Sequence, residues 1–212
     1  MHPVSFKRIN RCTFNLCLVF IISACGGGGS SDPSPTPNPT PTPVAVTQTG
    51  IFVDGVVSGL DYKTATYSGT TNLSGEYDYV VGETVTFSVG GIVLGTATAG
   101  PVVTPVSLID GATDATHPAV IKIVRFLLSL DEDGDPTNGI NINDATRIAA
   151  AGKSLDFSSA DFESQAQAIL DVVNVGATLV DSTVAQNHLT ESLHTLWGTS
   201  VWGSDCWGAA CS

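Results

Sequence analysis

The chain has 212 residues, with 20 acidic against 8 basic side chains and a formal charge of −12. Three of the basic residues, Lys7, Arg8 and Arg11, lie at the N-terminus; from residue 25 onward, five basic side chains stand against all 20 acidic ones, a formal charge of −15. Such a surface repels nucleic acid and anionic lipid headgroups and attracts divalent cations, and no basic patch or basic helix face runs along the chain.

The N-terminus has three parts. After the basic start, Cys12 to Ala24 is almost wholly apolar, apart from Thr13, Asn15 and Ser23. This run is shorter than the about 20 residues a spanning helix needs and fits the apolar core of an export signal. It ends Ile22-Ser23-Ala24-Cys25, and Gly26 to Gly29 follow. The four residues resemble the lipobox of bacterial lipoproteins. The resemblance implies a signal peptide over residues 1–24, cleavage before Cys25, a diacylglycerol group on its sulfur and an N-linked acyl chain such as palmitate. Two acyl chains are enough to hold a protein stably on a membrane. Gly26, where enteric lipoproteins retained at the inner membrane carry Asp, implies the outer membrane, with the body facing the periplasm or the surface.

Residues 26–43 read GGGGSSDPSPTPNPTPTP. Gly and Ser make a flexible coil, and alternate prolines favour extended polyproline II, with a reach of up to roughly 50 Å at about 3.1 Å per residue. With almost no apolar side chain to bury, this stretch predicts a spacer. Cys12 and Cys17 leave with the signal, so Cys206 and Cys211 are the cysteines left for pairing. In an oxidising envelope they predict a disulfide that closes a short loop and contributes about 2 kcal/mol; two free thiols are the alternative.

Residues 44–115 are rich in Thr, Val, Gly and Tyr, and residues 116–212 in Ala, Leu, Ile and Asp. In the first part, short runs between turn signals predict strands at Gly50–Asp54, Tyr62–Tyr67, Glu76–Val80, Thr84–Val89, Ile92–Gly95 and Val102–Val103. Val85, Phe87 and Val89 alternate on one face, and Gly90-Gly91 is a hairpin signal. Several short strands at this spacing predict an antiparallel β-sandwich or small barrel. In the second part, apolar spacing predicts about four helices. The first is capped by Thr116 or His117, starts at Pro118, ends near Leu130 and has a stripe of Ile121, Val124, Leu127 and Leu128. A short one follows Asn143 or Asp144. The third starts at Ser158 or Ser159 and carries Phe162, Ala166, Ile169 and Leu170. The last starts at Asp181 or Ser182 and carries Val184, His188 or Leu189, Leu193 and Leu196. The fold class predicted is α+β, with a sandwich over 44–115 followed by a helical region over 116–212.

The stretch from Gly50 to Leu108, followed by His117 to Ile142, resembles a module recurrent in envelope and secreted proteins of proteobacteria, for which no settled function is known. Its strand half is similar to prealbumin-like sandwiches of the carboxypeptidase-regulatory or Cna-B type, through Ser68-Gly69-Thr70 and Gly75-Glu76-Tyr77-Asp78-Tyr79. Some such domains carry a Lys–Asn isopeptide bond, which is not carried over to Lys63 and Asn72.

The densest acidic cluster is Asp131-Glu132-Asp133-Gly134-Asp135-Pro136-Thr137. Oxygen ligands at positions 1, 3 and 5, with a carbonyl at 7, are how Ca²⁺ loops begin, which marks Asp131, Asp133, Asp135 and Thr137. Pro136 stands at position 6 and Ile142 at 12, so this is not an EF-hand; a looser Ca²⁺ loop and a solvated turn both fit. His188, Glu191 and His194 share one predicted helix, but two His six apart diverge by about 120° and do not form a zinc pair of the i, i+4 kind. No G-x-S-x-G, P-loop or G-x-G-x-x-G occurs. Trp197, Trp202 and Trp207, each followed by Gly, occupy a looped end; they either contact a protein or glycan partner or cover the open end of the helical part. The functional expectation is a membrane-anchored, non-catalytic interaction or adhesion module, with an envelope hydrolase or its accessory domain as the alternative.

Overall fold

The computed structural model describes residues 46–197. They begin with β1 (Thr47–Phe52), β2 (Val57–Ser58), β3 (Asp61–Lys63), β4 (Ser68–Thr70), β5 (Glu76–Val80), β6 (Thr84–Val89), β7 (Ile92–Thr98) and β8 (Val102–Val103). A 3-10 turn over Pro105–Leu108 leads to α1 (Pro118–Ser129), then β9 (Ile140–Asn141), α2 (Asp144–Ala150), α3 (Phe162–Val173) and α4 (Ser182–Trp197). The fold is mixed α+β.

Three strands pair in the order β5-β1-β8, four in the order β4-β3-β6-β7, and β2 pairs with β9. Val85, Phe87 and Val89 of β6 are buried, as the alternation predicts. Phe52 of β1 and Tyr77 of β5 reach Phe87 at ring-centroid distances of 4.7 and 5.2 Å. Of the predicted strand Tyr62–Tyr67 only Tyr62 and Lys63 are strand, in β3, and β4 begins after it. Between them the Thr64 hydroxyl accepts from the amides of Thr66 and Tyr67, at 3.2 and 2.9 Å, and curls the chain into a turn.

Pairing is not antiparallel throughout. β1–β8 and β2–β9 are parallel, a geometry that needs a long crossover rather than a hairpin. The β2–β9 ladder is made by the amides of Ile140 and Ile142, which donate to the carbonyls of Val56 and Ser58 at 2.8 and 3.1 Å. It puts the helical residues against the strands, and one cluster of buried apolar side chains runs from Phe52 to Leu189 through both.

α1 and α2 start at side-chain caps. The His117 Nδ1 accepts from the Ala119 amide at 3.3 Å, with Pro118 in the first helical position. The Asn143 side chain accepts from the Thr146 amide at 2.9 Å. α3 begins at Phe162, later than predicted, because the Asp156 carboxylate takes the Ser158 amide at 2.8 Å and holds a separate turn there. On α1 the buried face is wider than the predicted stripe and includes Val120, Ile123 and Phe126, whereas Ile121 is only partly buried. α1 packs against the 3-10 turn, α3 and α4 together, so one stripe does not suffice. On α4 the predicted Leu189 is buried and Leu193 is partly buried against the same core, whereas Val184 is exposed and Ala185 is buried in its place.

Polar ties complete the packing. The Arg125 Nε donates to the Val180 carbonyl at 2.6 Å and its Nη1 pairs with Glu163 at 2.7 Å, joining α1, α3 and the segment before α4. Arg147 of α2 pairs with Asp61 of β3 at 2.8 Å and with Asp144.

The closest approach across the β2–β9 region is at Gly59, where φ is +80° and an added Cβ would lie 1.9 Å from the Ile142 carbonyl oxygen. Gly59→Ala is therefore expected to lower the urea-unfolding free energy by about 3 kcal/mol. A loss of less than about 1 kcal/mol would contradict this contact.

Candidate functional site

The site is built where α4 meets the turn between β1 and β2. Val53 and Val56 pair across Asp54-Gly55, and Gly55 takes φ +68°, the left-handed value that glycine adopts without penalty. The Gly55 amide donates to the Ser192 hydroxyl at 2.8 Å, and that hydroxyl donates to the His188 carbonyl at 2.9 Å. His188, one helical turn earlier, places its Nε2 3.0 Å from the Asp54 carbonyl oxygen and 3.5 Å from Asp54 Oδ1. A carbonyl can only accept, so Nε2 carries the proton.

Asp54 is 0% exposed and neither of its carboxylate oxygens has a hydrogen-bond donor. Burial pushes its pKa up to about 7, partly offset by the His188 imidazole. Ser192, His188 and Asp54 are thus neighbours without forming a nucleophilic relay, because the hydroxyl engages backbone groups and not the imidazole. Beside them opens a cleft of about 460 Å³. Ile51, Val56, Pro136 and Leu196 give it apolar walls, and His188 and Glu191 give it a polar side.

The acidic loop lies against the same cleft through Pro136 and Thr137. Asp131 follows α1 and is 4% exposed. Its Oδ1 accepts from the Asn141 amide at 2.9 Å, and its Oδ2 has no donor. Burial raises its pKa, and the neighbouring Asp133 carboxylate adds to the rise. Asp133 accepts from the Asn138 amide group at 2.8 Å and the Asp135 amide at 2.9 Å, which hold its own pKa down. Asp135 turns away to cap the 3-10 turn Pro136–Asn138, accepting from the Thr137 amide and hydroxyl at 3.1 and 2.6 Å. The loop therefore brings Asp131 and Asp133 together but not Asp135. Among the described residues no three His, Cys, Asp or Glu side chains converge on one point.

The remaining expected residues fall elsewhere. Of the helix triplet, His188 turns to Asp54, Glu191 borders the cleft and His194 is exposed. Asn72 donates to Glu76 at 2.6 Å and caps its own turn. Trp197 ends α4. The lipidation site Cys25, the cysteines Cys206 and Cys211, and Trp202 and Trp207 lie outside the described residues. Among the described residues no helix is long and apolar enough to cross a membrane.

Asp54 escapes a reading of the sequence by motif. Its signal is faint: an Asp-Gly turn inside an otherwise apolar Phe52-Val53-Asp54-Gly55-Val56-Val57 run, where a charge is not expected to be buried. Compared with protein-family models, curated proteins and solved structures, the chain matches none.

A carboxyl whose folded pKa is raised stabilises the fold fully below its unfolded pKa, near 4, and that stabilisation is lost as pH rises through about 7. Four other carboxylates act with the opposite sign at lower pH. Glu83, Asp114, Asp156 and Asp181, held down by hydrogen bonds from Thr66, Thr116, Ser158 and Thr183, weaken the fold as they protonate. The unfolding free energy is expected to fall by up to about 4 kcal/mol between pH 4 and pH 7. Asp54→Asn should flatten that slope, as read from urea midpoints; an unchanged slope in the variant would contradict the assignment.

Proposed function

We propose that the protein is an exported lipoprotein of the bacterial envelope, in which Cys25 carries the lipid, residues 26–43 form a spacer and the folded body is a non-catalytic interaction module. The observation that carries the anchoring is Ile22-Ser23-Ala24-Cys25 at the end of the apolar run from Cys12, behind Lys7, Arg8 and Arg11. Gly26 after the cysteine favours the outer membrane. We read β1 to β8 as the two layers of a prealbumin-like sandwich; the contacts of Phe52 and Tyr77 with Phe87 support this. An interaction role is supported by the apolar-walled cleft at the end of α4 and by Trp197, Trp202 and Trp207 just beyond it in sequence. The strongly acidic body favours a protein or glycan partner over nucleic acid.

In cells fed labelled palmitate, the wild-type chain is expected to take up label and sediment with membranes, whereas Cys25→Ser is unlabelled and soluble. Retention of the variant on membranes would refute lipid anchoring.

The buried Asp54–His188 pair beside the cleft favours a second function, an envelope hydrolase or its accessory domain, since displaced carboxyl pKa values gather at catalytic sites. It predicts ester or glycoside turnover that His188→Gln abolishes, where an interaction module shows none.

A further inference from the structure

We infer that the loop Asp131–Gly139 is a divalent-cation site selective for Ca²⁺, with Asp131 and Asp133 as its carboxylate ligands and Asp135 as a structural cap. The 1, 3, 5 spacing alone makes no such division; it comes from Asp131 lying beside Asp133 while, among the described residues, no third His, Cys, Asp or Glu converges with them. Asp131 is the group that lacks something: it is all but buried, one oxygen is taken by the Asn141 amide, and Oδ2 has no donor. A buried carboxylate oxygen left without a partner is costly. Its neighbour is a second carboxylate, Asp133, which has no hydrogen to offer when ionised. A cation between the two satisfies both at once.

The rest of the loop is compatible with that role. Gly134 takes φ +70° and lets the chain curve between Asp133 and Asp135. The two oxygens of Asp133 each accept one hydrogen bond and keep a lone pair. Asp135 Oδ1 is occupied by both Thr137 donors, and Glu132 turns to Asn141 at 2.8 Å. Two carboxylates, with neutral loop oxygens and water completing the shell, give a weak site, with a Kd on the order of 10⁻⁴–10⁻³ M. Carboxylate oxygens suit Ca²⁺. Mg²⁺ demands near-octahedral geometry, and transition metals prefer nitrogen or sulfur. Because Pro136 and Thr137 line the cleft, occupancy would stiffen one of its walls.

The test is thermal unfolding of the full chain in chelator, in millimolar Ca²⁺ and in millimolar Mg²⁺, with Asn141 amide shifts followed by NMR. Millimolar Ca²⁺ is expected to raise Tm by about 1–5 °C, with a smaller rise for Mg²⁺, and to move the Asn141 amide resonance. Asp131→Asn and Asp133→Asn should each abolish the Ca²⁺ effect, whereas Asp135→Asn should keep it. Asp133 is exposed, so its variant carries the test even where Asp131→Asn does not fold. The inference is overturned by equal Tm values in chelator and Ca²⁺, by an effect that survives Asp131→Asn or Asp133→Asn, or by one that Asp135→Asn removes. An equal rise with Mg²⁺ would overturn the selectivity.

Discussion

Two residues of β2 and two of β9 hold the described fold in its arrangement. Val57 and Ile140, opposite each other in that ladder, are both buried, and the Ser58 hydroxyl reaches the Asn141 side chain at 3.0 Å across 83 positions of chain. Closing a loop of that length carries an entropic cost that grows only slowly with length, but a two-residue ladder does not offset it alone. What does is the shared core, in which Phe52, Tyr77 and Phe87 from the strands continue into Phe126, Phe162 and Leu170 from the helices. Everything at the candidate site follows from this join. Asp54 lies just before β2 and the acidic loop just before β9, so pairing the strands brings both to the side of α4.

That end of the body also carries three of the buried polar atoms left without a partner among the described residues, the other being Arg147 Nε. Asp54 has two carboxylate oxygens without donors and Asp131 has one, in a fold where Asp61, Asp144 and Glu163 all pair with arginine. Buried polar groups are almost always satisfied, and departures from local consistency collect at functional sites. The two carboxylates solve their burial differently. Asp54 has its pKa pushed up by burial and leans on His188. Asp131 faces a second carboxylate, which a proton or a cation can reconcile. The first ties the cleft to pH, and the cation site inferred above would tie it to divalent cations as well.

Much of this fold is legible in the sequence, and what is not has a physical reason. β5 and β6 are plain because alternation of Tyr77 with Tyr79 and of Val85, Phe87 and Val89 is a local signal. The helix starts at Pro118 and Asp144 are plain because His117 and Asn143 cap them. β2 and β9 are not, since two residues make no period and their pairing is entirely non-local. On α4 only the first anchor is missed, because Ala185, a small residue, packs where Val184 looks the better choice. At the site, the acidic loop stands out as a cluster, yet which carboxylates converge depends on hydrogen bonds that spacing does not encode. Asp54 is invisible as a motif because only the fold surrounds it with apolar side chains.

The central claim is that strands and helices are one cooperative body joined at β2–β9. Native-state hydrogen exchange tests it most directly, on the amides of Ile140 and Ile142 that donate to Val56 and Ser58. These should exchange with the same opening free energy as the amides of β6. Exchange of Ile140 and Ile142 through a lower-energy opening, with β6 still protected, would contradict it.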